Sequence, residues 1–183
     1  MLFNSFAFLV FFPLICLLYW TIRAFGRTES LTLRNTLLLF GSYYFYICWQ
    51  PKYALLLLLS TAVTYGAALL IGNCKTQYNK KIWLGSAITI NLLILFFYKY
   101  YGFVTGAITS AMASMGIMMS IPGLDLLLPV GISFYIFQAL GYSIDVYRGH
   151  IKPEKNFFTY ALFVSFFPQL VAGPIERSTN LLK

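Results

Sequence analysis

Apolar and polar positions divide the chain into long greasy runs separated by short basic loops. The runs cover about Leu2–Ile22, Asn35–Trp49, Tyr53–Ile71, Ile82–Tyr101, Phe103–Ile121, Leu124–Tyr147 and Phe157–Ala172. Stretches such as Ala54 to Leu59 are apolar on every side, so they read as membrane helices rather than as amphipathic helices of a soluble bundle. A transmembrane β-barrel would alternate apolar and polar residues over units of about ten, and no such alternation is present. The second run ends at Gln50-Pro51, where a proline cannot continue a helix without losing a hydrogen bond. The last run is interrupted by Pro168-Gln169 and stopped by Gly173-Pro174, which predicts a broken helix or re-entrant segment. Such backbone is tolerated at membrane depth only where protein or a water-filled cavity shelters it.

Composition narrows the class. Hydrophobic residues make up 60% of the 183 positions and charged ones 10%, against about 45–50% and about 25% in a soluble domain. That excludes a soluble fold and a disordered chain. At about 20 residues per crossing, the length allows at most six or seven spans. The fold class expected is all-α, a multi-pass transmembrane helical bundle.

The net charge of +8 is spread in small clusters between the runs. This is the pattern of cytoplasmic membrane loops, not of a nucleic-acid surface. Arg23, Arg27 and Arg34 follow the first run, and Lys75, Lys80 and Lys81 follow the third, while the loop between carries only Lys52. The N-terminus is therefore expected outside, with residues 23–34 and 73–81 in the cytoplasm. For Arg148, Lys152 and Lys155 to fall inside as well, Phe103–Ile121 must not cross. Within that segment Gly102 and Gly106 have a spacing that permits close helix contact. Lys99, among Tyr98, Tyr100 and Tyr101, is read as snorkelling to the interface. The three cysteines form neither a disulfide framework nor a metal spacing.

Polar residues inside apolar runs are the informative ones. Helical spacing places Phe134, Gln138, Gly141, Asp145 and Arg148 on one stripe, which must face protein or water. Asp145 and Arg148 are three apart and can pair, either as a bridge pinning the helix end or as part of a substrate path. Nucleophile elbows, zinc-binding His-Glu-x-x-His helices and phosphate loops are absent. His150, the one histidine, sits in a basic loop and reads as a solvated residue.

Two stretches carry more than physics. Leu128-Pro-Val-Gly-Ile-Ser-Phe-Tyr-Ile-Phe-Gln-Ala-Leu-Gly-Tyr-Ser-Ile-Asp-Val-Tyr-Arg-Gly149 and Ser165-Phe-Phe-Pro-Gln-Leu-Val-Ala-Gly-Pro-Ile-Glu-Arg177 closely resemble the membrane-bound O-acyltransferase (MBOAT) family. The likeness is strongest to its bacterial branch, which holds membrane subunits of alginate O-acetylation and teichoic-acid D-alanylation. The Phe3-Asn4-Ser5 start, the Arg34-Asn35-Thr36 loop and the Tyr43-to-Trp49 aromatic run look similar too. The resemblance implies a ring-shaped helical bundle with funnels meeting at a thin, protein-lined centre. It implies transfer of acetyl or another small acyl group from a cytoplasmic thioester, acyl-coenzyme A or an acyl carrier protein, to hydroxyls of an extracytoplasmic polysaccharide. No tightly bound cofactor or metal is implied. The partners are membrane lipid, the carrier protein, the acceptor polysaccharide and extracytoplasmic acetylation proteins, with no nucleic acid.

By the same resemblance Gln138, Tyr142, Asp145 and Arg148 belong to a helix bordering the tunnel. Pro168, Gln169, Gly173, Pro174 and Arg177 belong to the broken segment. The family's active-site histidine lies well downstream of the Gly-Pro-Ile motif, and His150 occupies a place where the family keeps no catalytic residue. The resemblance thus implies a single membrane domain, the N-terminal portion of a longer one, with its catalytic histidine beyond Lys183 and no activity alone. A transporter or channel fragment and a non-catalytic scaffold recruiting an envelope-modifying enzyme are the competing readings.

Overall fold

A computed structural model describes residues 5–25, 30–48, 50–116 and 131–172, and all regular structure among them is helical. In chain order the helices are α1 (Phe6–Phe25), α2 (Ser30–Ile47), α3 (Pro51–Asn73), α4 (Gln77–Leu95), a π-helical turn (Phe96–Tyr100), α5 (Tyr101–Ser114), α6 (Ile132–Arg148), α7 (Phe157–Ser165) and α8 (Phe167–Ala172). Among the described residues three stretches are long and apolar enough to cross a membrane: Phe6–Ala24, Pro51–Asn73 and Gln77–Ser114. The chain is an all-α membrane protein, as the pattern of runs predicts.

Helix α3 lies at the centre and packs on α2, α4, α6 and α7, while α1 rests on the outside of α2. Pro51 opens α3 at its first turn, where the missing N–H has no partner to lose. Its buried face combines Leu56, Leu57, Ala67, Ala68 and Ile71 with Ser60, Thr61 and Thr64. These three hydroxyls are fully buried. Thr61 and Thr64 donate back to the carbonyls of Leu57 and Ser60, at 2.7 and 2.8 Å. Ser60 also donates to Asn91 Oδ1 of α4, and Tyr160 of α7 donates to Thr64 Oγ1 at 2.7 Å. Interhelical hydrogen bonds of this kind hold helices together where lipid offers no hydrophobic drive.

The fourth run does not stop at Tyr101. It passes through the π turn directly into α5, making a helix of 38 residues, about 57 Å long at 1.5 Å per residue. That is nearly twice the ~30 Å thickness of a hydrocarbon core. Helix α5 has no buried residue. At Gly102 and Gly106 an added Cβ would meet nothing within 4 Å, so their spacing serves no contact among the described residues. Lys99 lies in the π turn with its ammonium 5.5 Å from the centre of the Tyr100 ring.

Helix α6 runs antiparallel to α4, and its last turn returns to the beginning of α4. Gln77 Nε2 donates to Tyr147 Oη at 3.1 Å, and Pro153 packs on Gly72, where a Cβ would stand 2.5 Å from Pro153 Cγ. The basic loops after α3 and after α6 therefore share one end of the bundle. The chain leaves α4 and enters α6 at the opposite end. Helix α6 closes with Gly149 in the left-handed conformation (φ 76°), where a glycine carries no Cβ penalty.

Candidate functional site

The last helical run breaks inside the bundle, and the break is where polar groups converge. Asn156 caps α7, its Oδ1 accepting from the Phe158 N–H at 2.9 Å. The helix then buries Tyr160, Ala161, Phe163, Val164 and Ser165. Phe166 turns out of helical geometry (φ −57°, ψ 106°), and α8 restarts at Phe167. The break thus precedes Pro168, which falls in the first turn of α8, a position that tolerates proline.

In an unbroken helix the Phe167 N–H would bond the Phe163 carbonyl. Here each half of that bond finds a partner on another helix. Gln138 Nε2 of α6 donates to the Phe163 carbonyl at 2.8 Å. The Phe167 N–H donates to Ser42 Oγ of α2 at 3.3 Å, and Ser42 donates on to the Leu38 carbonyl at 2.8 Å. Ser165, fully buried beside the break, has a hydroxyl with no hydrogen-bond partner among the described residues.

Two cavities flank the break and share Leu38 and Phe166 in their walls. One, of about 200 Å³, receives the polar side chains of Asn35, Thr159 and Gln169. The other, of about 370 Å³, is an open groove among Ile15, Tyr19, Trp20, Phe167 and Pro168. Among the described residues no acidic or basic side chain lines either one. The described lining can bind and orient a neutral or apolar group, and no general base stands among these described residues.

The predicted site residues separate. Gln138 and Pro168–Gln169 meet at the break. Tyr142 is buried near the end of α6, where its hydroxyl accepts from the Glu154 N–H at 2.8 Å and its ring lies 4.5 Å from that of Tyr160. It ties down the 149–156 loop. Asp145 stands seven residues beyond Gln138, about 10 Å along the helix, with its Oδ1 3.5 Å from His150 Nδ1. Arg148 is exposed. The four residues expected along the tunnel-bordering helix therefore divide, with Gln138 and Tyr142 in the packed interior and Asp145 and Arg148 at the basic end, while Phe134 and Gly141 of the expected stripe are exposed. Gly173, Pro174 and Arg177 lie outside the described residues. No cluster of His, Cys, Asp and Glu suited to a metal occurs among the described residues.

Ser42 and Thr159 are not singled out by the sequence, and Asn35 and Ser165 enter there only as members of motifs, without a site role. Their signal is the same as that of Gln138, a polar side chain in an otherwise apolar run.

Similarity to curated proteins covers the whole chain. The probable alginate O-acetylase AlgI of Pseudomonas syringae pv. tomato is 37% identical over 184 residues, covering 99% of this chain and 34% of its own length. The protein of the same name from Azotobacter vinelandii is 36% identical over 100% of this chain and 35% of its own. Over its whole length the chain is thus similar to proteins named as alginate O-acetylases. A peptidoglycan O-acetyltransferase of Helicobacter pylori, 30% identical over 100% of the chain and 38% of its own length, is a further relative. The chain spans about a third of the length of these curated relatives. No family model and no solved structure matches it.

Proposed function

We propose that this chain is part of a membrane O-acyltransferase that moves acetyl, or another small acyl group, from a thioester to hydroxyls of an envelope polysaccharide. The observation that carries the reading is similarity over the whole chain to proteins named for O-acetylation of two different polymers. The donor is a cytoplasmic acyl-coenzyme A or acyl carrier protein, and the acceptor lies outside the bacterial inner membrane. The chain crosses that membrane several times, with its N-terminus outside and its basic loops in the cytoplasm. In the reaction the acceptor oxygen attacks the thioester carbonyl, the C–S bond breaks and the thiol leaves with a proton. A general base takes the hydroxyl proton, a step worth typically about 10²–10⁴-fold.

In this reading the base is a histidine other than His150, the one histidine of these 183 residues, and these residues by themselves are expected to show no transfer. The broken α7–α8 segment contributes position. By holding the break rigid, Gln138 and Ser42 keep the cavity with Asn35, Thr159 and Gln169 open beside it. Two measurements test the reading. Deleting the gene should remove alkali-labile acetyl esters from the envelope polysaccharide, and an unchanged ester content would sink the proposal. Purified 1–183 in lipid should show no acyl transfer, whereas turnover abolished by His150→Ala would make His150 the base.

A further inference from the structure

The core tyrosines differ between the two ends of the bundle. Toward the basic loops, Tyr160 donates to Thr64 Oγ1 at 2.7 Å and Tyr142 accepts from the Glu154 N–H at 2.8 Å. At the opposite end, where α2 stops and α6 begins, the oxygens of Tyr43, Tyr46 and Tyr135 are buried with no hydrogen-bond partner among the described residues. Tyr46 and Tyr135 are only 2% and 1% exposed. Tyr43 and Tyr46 stand three apart on one face of α2, and Tyr135 lies in the first turn of α6. All three belong to or pack on one core, as does Tyr98 of the π turn. The Tyr135 hydroxyl interacts electrostatically with those of Tyr46, Tyr98 and Tyr43, so the groups converge from three separate segments. Thr61 of α3 adjoins Tyr43, but its own proton goes to the Leu57 carbonyl at 2.7 Å.

We propose that Tyr43, Tyr46 and Tyr135 bind water inside the bundle, forming a hydrated site at the end opposite the basic loops. The great majority of buried polar atoms in folded proteins are bonded to protein or to ordered water. Three unpartnered phenols brought together from two helices therefore point to a shared ligand. Phenols are neutral donors and acceptors, and their burial shuts out bulky solutes. Water fits both conditions, since it donates and accepts and needs about 2–4 polar partners. The site gives a reason for tyrosine at these positions, because phenylalanine would fill the core equally well. It leaves the bundle hydrated at one end and closed by its own hydrogen bonds at the other. The proposal does not depend on the acyl-transfer reading.

X-ray radiolysis of the full chain in lipid nanodiscs, read by mass spectrometry, tests this without altering a residue. Radicals formed in bound water oxidise the side chain beside it even where bulk solvent cannot reach. Tyr46 and Tyr135 should be oxidised several-fold faster than Tyr160, which is as deeply buried but bonded to Thr64. A radical scavenger in the bulk should slow oxidation of Tyr78, which is 70% exposed, and leave theirs unchanged. Tyr46→Phe and Tyr135→Phe supply an independent sign. A phenol bound to water loses a bond on becoming phenylalanine, so the unfolding midpoint should fall in each variant. A dry, unpartnered hydroxyl costs stability, and its removal would hold or raise the midpoint. Oxidation of Tyr46 and Tyr135 no faster than that of Tyr160 would overturn the proposal, since dry protein would then surround them. So would oxidation that the scavenger suppresses, which would mean an open cleft, or a midpoint that holds or rises in either variant. If neither variant accumulates, radiolysis of the parent chain decides alone.

Discussion

Gln138 donates its side-chain amide to the carbonyl of Phe163, taking the place of a backbone N–H that the chain directs elsewhere. The main chain at Phe166 cannot close its own helix, and an amide on α6 and a hydroxyl on α2 complete it from either side. A broken helix inside a membrane protein is stable only if its freed backbone groups are satisfied in this way. The break is thus specified by residues distant in sequence as well as by Pro168.

Replacing Gln138 by Leu keeps most of the volume and leaves the Phe163 carbonyl buried without its donor. An orphaned buried acceptor costs about 1–3 kcal/mol in soluble proteins, while interhelical bonds in bilayers average ~0.6 kcal/mol. The expected loss is about 1 kcal/mol, read as a lower midpoint of unfolding in mixed micelles. An unchanged midpoint would show that the break is held without Gln138.

Gly72→Ala tests the seat of the basic loop. A Cβ there would stand 2.5 Å from Pro153 Cγ, so the loop must shift. That shift would strain the bonds from the Glu154 N–H to Tyr142 and from Tyr65 to the Lys155 carbonyl. Overpacking of this kind costs typically about 1–3 kcal/mol. Pro153→Ala in the same chain should restore most of it, since it removes the colliding ring. Faster proteolysis of the 150–156 loop in Gly72→Ala, reversed in the double variant, is the expected result.

The fold was legible where apolar runs and basic loops do the specifying, because membrane insertion reads those features directly. Helix boundaries were less so. The run ending near Tyr101 continues through a π turn, and nothing in Phe96–Tyr100 opposes helix. Pro168 marks the break two residues late, because a proline fits the first turn of the next helix. Gln138 is visible as a polar residue that must face protein, but its partner is a main-chain carbonyl, which has no sequence signature. Asp145 has Arg148 at helical spacing, yet the imidazole of His150 comes within 3.5 Å because Gly149 folds the chain back over the helix end. The cavity residues Asn35, Thr159 and Gln169 come from three separate segments, so only the packing of α2 against α7 and α8 brings them together.

Tyr160 separates packing from hydrogen bonding in the core. Its ring is fully buried against Tyr142, and its hydroxyl bonds Thr64. Tyr160→Phe keeps the ring and should cost under about 1 kcal/mol. Tyr160→Ala empties the site between α3, α6 and α7 and should cost about 3–5 kcal/mol, as aromatic truncations do. Similar losses for the two variants would mean that the Thr64 bond, not the ring, holds α7 in place.

Membrane sidedness gives the broadest test. In a chain with Cys16, Cys48 and Cys74 replaced, single cysteines are placed at positions 52, 75 and 152. The bundle puts the loops after α3 and α6 at one end, joined by the Gln77–Tyr147 bond and the Gly72–Pro153 contact. Positions 75 and 152 should therefore react together. Position 52, at the start of α3, lies at the other end of a 23-residue helix, about 34 Å away along its axis and far enough to stand beyond a hydrocarbon core. Charge bias places the basic end inside, so a membrane-impermeant maleimide added to intact cells should label 52 and spare 75 and 152 until the membrane is opened. Labelling of 152 with 52 would require residues 101–131 to cross the membrane. That would contradict both the shared basic end and the antiparallel pairing of α4 with α6.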